Sequence, residues 1–162
     1  MSVTIKPLIK NHWNSVSKIY AEGVATGLAT FETEIPSWEN WNKKQIPSCR
    51  LIALIQNEIV GYAVLSKYSE RDVYVGVAEV SIYIAQNFRG RKIGETLLKQ
   101  LIKESEDEGF WALQARIFSK NIASINLHKN CGFRIIGIRE KNGQLNGIWY
   151  DNHLMGKRNL IV

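Results

Sequence analysis

The sequence predicts an α/β (α+β) fold: a mixed, mostly antiparallel sheet of seven strands flanked by about four helices, in one domain over residues 1–162. Three observations carry this. The chain has 162 residues, 45% hydrophobic and 22% charged, which suits one globular core rather than a disordered segment. Apolar periodicity switches repeatedly between the alternation of strands and the three-to-four spacing of helices. Strand-like runs separated by short turns dominate, and a single strand–long helix–strand unit, "AEVSIYIA" to "FWALQARIF", demands a parallel crossover.

The elements follow in order. "VTIKPLI" reads as a strand, with Pro7 marking an edge or an irregular end. Asn11 is expected to cap a helix that carries Trp13, Val16, Ile19, Tyr20 and Val24 on one face. "TGLATFETEIPS" is turn-rich, and Ser37 opens a short helix, "SWENWNKKQ". "RLIALIQ" and "IVGYAVLSKY" form a hairpin about Gln56-Asn57-Glu58, and "SERDVYVG" is a loop. After "AEVSIYIA", Ile93, Leu97, Leu98, Leu101 and Ile102 recur at helical spacing until Gly109 ends the helix. "FWALQARIF" is a strand and "NIASINLHKN" a short helix starting at Asn121. The last hairpin joins "FRIIGIRE" to "NGIWYDNHLM" with a turn at Lys141-Asn142-Gly143-Gln144, because Asn-Gly is the strongest short hairpin signal.

Composition narrows function. No apolar run reaches the roughly 18 residues of a membrane span. "MSVTIKPLIKNHW" lacks the long apolar core of a secretory signal. Cys49 and Cys131 stand alone without metal-ligand spacing, so a reducing cytoplasm and no metal are expected. The net charge of +6 fits nucleic-acid binding, a local anion site, or plain solubility charge. The Lys and Arg residues are scattered, and no nucleic-acid partner is expected.

The longest basic cluster is Arg89-Gly90-Arg91-Lys92-Ile93-Gly94, between a strand and a helix. Backbone N–H groups at a helix start form an anion nest, and the helix dipole favours negative charge there. A solvated turn is the competing reading. Neither the Walker pattern nor the dinucleotide fingerprint fits.

This loop resembles the acyl-CoA loop of the GNAT acetyltransferase superfamily, Q/R-x-x-G-x-G/A, with Arg89 and Gly94 matching and Lys92 in place of the first glycine. "NIASINLHKNCGF" is similar to the family's N-x-x-(A/S) helix ending in G-F, matched by Asn121 and Ser124. "IYAEGVATGLATFETEIPSWENW", "RDVYVGVAEVSIYI" and "GIWYDNHLM" are most similar to the phosphinothricin and methionine sulfoximine acetyltransferases.

The resemblance implies an acyltransferase that moves acetyl from acetyl-CoA to the amine of a small amino acid or analogue. It also implies that backbone amides from Arg89 to Gly94, Ile93 included, bind pyrophosphate. A side chain with Cβ is costly at positive φ, whereas a β or right-handed geometry at Lys92 would cost nothing; Lys92 reads as a tolerated departure whose ammonium could add a phosphate contact. Ile82, Tyr83 and Ile84 would pair with the pantetheine arm, one main-chain N–H facing the thioester oxygen. Asn121 and Ser124 would complete the cofactor site, although Asn121 also reads as a helix N-cap.

His128 lies two helical turns from Asn121 on the same face and occupies the family position that protonates the departing thiolate. Without the resemblance it is a surface histidine. Glu79 matches a proposed base; a carboxylate at its ordinary value near ~4.3 is weak, so the role calls for burial. Arg71 would pair with the acceptor's carboxylate, with Tyr74 and Phe31 walling its pocket. A homodimer is expected. The alternatives are a non-catalytic acyl-CoA-binding module and an acetylase of a protein N-terminus.

Overall fold

The computed structural model of the chain describes residues 2–160. Its strands are β1 Thr4–Pro7, β2 Leu51–Ile55, β3 Glu58–Lys67, β4 Val77–Ile84, β5 Ala112–Phe118, β6 Arg134–Leu145 and β7 Ile148–Arg158. Its helices are α1 Trp13–Thr26, α2 Trp38–Lys44, α3 Ile93–Asp107 and α4 Ile122–Asn130. The seven strands form one sheet in the order β1-β2-β3-β4-β5-β7-β6. All neighbours are antiparallel except β4 and β5, which the α3 crossover makes parallel. The predicted order of elements is the observed one.

Strand alternation sorts the core into two layers. Val80, Ile82 and Ile84 of β4 and Leu113, Ala115 and Ile117 of β5 pack with α3 (Leu97, Leu98, Leu101) and with Ile125 of α4. Tyr62, Val64 and Tyr83 turn to the opposite face, against Val16 and Ile19 of α1 and Trp41 of α2. Ser37 caps α2 by accepting from the Asn40 N–H at 3.2 Å. Gln56 and Asn57, at φ 50° and 65°, make the tight β2–β3 turn where the sequence placed it.

Two local expectations fail. Asn11 does not cap α1: it sits inside a tight helical turn, Lys10–His12, and His12 holds the cap position without a side-chain bond to α1. The Asn142-Gly143 pair is not the hairpin turn. β6 runs through it, and the chain reverses at the next Asn-Gly, Asn146-Gly147, with φ 51° and 79°. Gly143 instead serves packing, since a Cβ there would lie 2.9 Å from the Phe31 ring. The irregularity between Arg139 and Gly143 carries Lys141 at φ 46°, its N–H bonded to the Asp151 carboxylate at 2.7 Å. Among the described residues no helix is long and apolar enough to cross a membrane.

Candidate active site

β4 and β5 pair only from Val77↔Ala112 to Glu79↔Gln114 and then part. Beyond Glu79 the β5-facing edge of β4 has no strand partner, while its other edge stays paired to β3 from Ala78 to Ile84. An extended ligand can therefore add to that open edge. A cavity of about 480 Å³ fills the gap, lined by Phe31, Glu79, Ser81, Ile82, Tyr83, Arg116, Asn121, Ser124 and His128 among others. Because the gap breaches the sheet, the cavity reaches both core layers. Glu79, Ser81 and Tyr83 belong by alternation to the α1/α2 face, and α4 brings His128 from the other.

Where the base role called for burial, Glu79 is an ion-paired and partly exposed carboxylate. Its Oε1 accepts from Arg116 Nε at 2.7 Å and Gln114 Nε2 at 3.0 Å, and Oε2 accepts from Arg116 Nη2 at 2.8 Å. The carboxylate is thus held in one orientation by a bidentate ion pair.

His128 is 2% exposed, and its ring stands edge-on to Phe133 at 5.1 Å. Nδ1 lies 2.7 Å from the Ser124 carbonyl oxygen, which can only accept, so Nδ1 carries the hydrogen. Burial pushes the imidazole below its ordinary value, against the smaller opposing effect of that bond, so the neutral ring is favoured. Nε2 is buried with no partner among the described residues. The resting ring therefore offers a lone pair in the cavity wall, where the expectation was a proton donor.

Asn121 does cap α4. Its Oδ1 accepts from Ser124 N at 3.2 Å, and its Nδ2 donates to the Leu28 carbonyl at 3.3 Å, tying α4 to the α1–α2 connection. Phe31 packs on Phe118 with ring centres 4.4 Å apart and walls the cavity as expected.

Arg71 and Tyr74 lie outside the cavity walls. Their loop folds on itself, with the Arg71 guanidinium over the Tyr74 ring at 5.6 Å and Tyr74 edge-on to Tyr68. Gln114, Arg116 and Asn152 were not singled out from the sequence. The signal was available: polar Gln114 and Arg116 alternate with buried Leu113, Ala115 and Ile117, next to Glu79 in register.

The Arg89–Gly94 loop lies past the cavity's β4 end, where Arg89 Nε donates to the Ile84 carbonyl at 3.1 Å. Gly90 has φ 78°, which glycine adopts freely. Lys92 has φ 61° and ψ 16°, the costly left-handed geometry and not the cost-free β or right-handed one. The loop thus keeps a glycine-like path at the cost of strain in a lysine. No side chain caps α3, so its first-turn N–H groups remain open to a phosphate. The open edge of β4 and this uncapped helix start together fit acyl-CoA. Among the described residues, no group of three or more His, Cys, Asp or Glu could hold a metal ion.

The split sheet with an anion-ready helix start is the architecture of an acetyl-CoA-dependent N-acetyltransferase, and the chain belongs to the Acetyltransferase (GNAT) family, whose profile matches residues 13–133. It is similar to the phosphinothricin N-acetyltransferase of Alcaligenes faecalis, 32% identical over 159 residues, covering 94% of this chain and 80% of that one. A GNAT superfamily phosphinothricin acetyltransferase from Sinorhizobium meliloti, solved in complex with AcCoA, superposes with a TM-score of 0.90 at 29% identity over 98% of this chain and 89% of that chain. The ribosomal-protein-alanine N-acetyltransferase from Brucella melitensis superposes with a TM-score of 0.89 at 31% identity, over 96% and 99% of the two chains. The chain is therefore a GNAT acyltransferase of the phosphinothricin acetyltransferase-like group, with acetyl-CoA as co-substrate.

Proposed function

We propose that this enzyme transfers acetyl from acetyl-CoA to the amine of a small amino acid or analogue of the phosphinothricin or methionine sulfoximine type, directly within a ternary complex. The observation that carries the reading is the breach between β4 and β5, which lets one cavity touch Glu79 on one face and His128 on the other. An ammonium has no lone pair, so Glu79, directly or through a water, takes its proton. The amine nitrogen then attacks the thioester carbon, a main-chain N–H on the open edge of β4 receives the developing oxyanion, and the carbon–sulfur bond breaks. The thiolate leaves and takes up a proton. The attacking nitrogen, which after addition still carries two hydrogens and a positive charge, gives one to neutral His128, and His128 passes it to the departing thiolate; this relay replaces the simple acid role.

No covalent enzyme intermediate is needed, and proximity supplies much of the acceleration. Cys131 suits no nucleophilic part, because it is buried with Sγ 3.9 Å from the Glu95 carbonyl and burial pushes its thiol up. Ile82, Tyr83, Ile84, Asn121 and Ser124 would hold the pantetheine arm, and Arg89 to Gly94 the pyrophosphate. A cytoplasmic homodimer acting on a small molecule, without nucleic acid, completes the reading. Ile135, Ile136, Ile138, Ile148 and Trp149, exposed on the β6–β7 hairpin at the sheet edge, support the dimer. A monomeric mass by light scattering at micromolar concentration would refute it.

The deciding experiment is a turnover screen with acetyl-CoA across free amino acids, phosphinothricin, methionine sulfoximine, polyamines and short peptides. Amino acids or their analogues are expected to turn over fastest. A preference for peptides or polyamines would overturn the acceptor assignment.

A further inference from the structure

The Glu79–Arg116 pair sets a carboxylate and a guanidinium side by side at the last paired rung before β4 and β5 part. Glu79 occupies only one edge of Arg116, through Nε and Nη2. The remaining N–H groups of the guanidinium have no bond among the described residues, and the Arg116 side chain is 52% exposed against 17% for Glu79. On the carboxylate, Oε2 accepts from Arg116 alone while Oε1 accepts from two donors. An ionised carboxylate has acceptor positions on both oxygens, so Oε2 keeps capacity for another N–H.

An α-amino acid carries the complementary arrangement: an ammonium and a carboxylate on one carbon. A planar guanidinium can hold one carboxylate on its side edge and a second on its end, each bidentate. Glu32 is the other carboxylate in the cavity wall, but for the acceptor's own carboxylate the rest of the cavity offers little competition. Arg116 and His128 are the basic side chains in its wall, and His128 is buried and favoured neutral. Arg71, the sequence-based candidate for the carboxylate, packs on Tyr74 outside it.

We propose that Glu79 and Arg116 together form a zwitterion receptor: the end edge of Arg116 binds the acceptor's α-carboxylate while Glu79 takes the adjacent amine. This rests on the acetyl-transfer reading and sharpens it. The acceptor class becomes free α-amino acids and analogues that keep the carboxylate next to the amine. Amides and peptide N-termini, whose neighbouring carbonyl is neutral, are disfavoured because they leave the guanidinium edge unmatched.

The test compares L-methionine sulfone with its carboxamide as acceptors for the wild type, Arg116→Gln and Arg116→Lys. The wild type should prefer the acid by roughly 30-fold or more in kcat/KM, a usual size for a charge-assisted contact. Arg116→Gln should bring that preference within a few-fold, chiefly by raising KM for the acid. Arg116→Lys keeps charge but loses the fork, and should fall between; it also serves if the glutamine variant does not fold.

A residue that merely positions Glu79 would lower kcat for both acceptors by the same factor and leave the preference intact, which overturns the proposal. So does a wild type without preference. If neither compound is acetylated, the transfer reading fails for this acceptor class, and calorimetric binding decides the receptor independently. Tighter binding of the acid than the amide by the wild type but not by Arg116→Gln supports it, and equal binding overturns it.

Discussion

The two faces of the split sheet treat their key side chains in opposite ways. On the α1/α2 face Glu79 is partly exposed and bound by Gln114 and Arg116. On the α3/α4 face His128 is 2% exposed and leaves Nε2 without a partner among the described residues. On the proposed mechanism, the contrast lets one cavity separate two tasks. A carboxylate held by fixed donors is oriented for a ligand that arrives from water, whereas a desolvated imidazole keeps a lone pair for proton exchange in a dry wall.

The largest expected effect breaks the contrast at Glu79. Glu79→Gln keeps shape and removes basicity, so turnover should fall by roughly 10²–10⁴. Much of the deficit should recover at high pH, where the amine is already neutral. Near-normal turnover at neutral pH would remove Glu79 from the proton path.

His128→Ala should lower turnover by roughly 10- to 100-fold with little recovery at high pH, since thiol departure rather than amine deprotonation is slowed. The pH–rate profiles of the two variants, read side by side, test whether the faces have separate roles. Superimposable profiles would merge them.

Stability against pH sharpens the same contrast. The folded-state value of His128 is depressed, so on acidification below about 6.5 the unfolded chain takes up a proton that the folded chain resists. Its contribution is therefore fully present above that pH and is lost as pH falls from there toward the folded value. Denaturant melts between pH 7 and 5 should show a shallower loss in His128→Gln than in the wild type. An equal slope would mean that the ring is not held neutral.

Lys92 carries the strain of the α3 side. Relief of its left-handed geometry in Lys92→Gly should exceed the added flexibility of glycine by about 0.5–1 kcal/mol. That should raise Tm by roughly 1–4 °C. A fall in Tm would show that the lysine side chain compensates for its backbone. The smallest effect concerns Cys49, whose thiol burial pushes up to about 11. In the native enzyme at pH 8, thiol reagents should leave it unmodified, and rapid labelling would show that this layer opens.

Legibility followed the range of the interactions. α3 could be read from Ile93, Leu97, Leu98, Leu101 and Ile102 because the spacing that makes its buried face is local. Asn121 could be read as a cap for the same reason. The two Asn-Gly pairs defeated local reading, since each offers the same turn chemistry. Asn146-Gly147 became the turn because β6 and β7 pair from Arg134↔Gly156 out to Leu145↔Ile148, and the Phe31 ring takes up the space beside Gly143.

Length, periodicity and the glycine-containing basic loop thus determined the order of elements, the parallel crossover and the strand–loop–helix junction at Arg89–Gly94, because each depends on neighbours within a few turns of chain. Sequence also put Glu79 and His128 on elements that border one site. Only the tertiary structure decided their states. Arg116 reaches Glu79 across 37 positions of chain, and the depth at which α4 packs sets the neutrality of His128. Arg71 lies outside the pocket, with its guanidinium over the Tyr74 ring of its own loop. Charge pairing and desolvation depend on distances in space, and those were fixed when β4 and β5 paired as far as Glu79 and then parted.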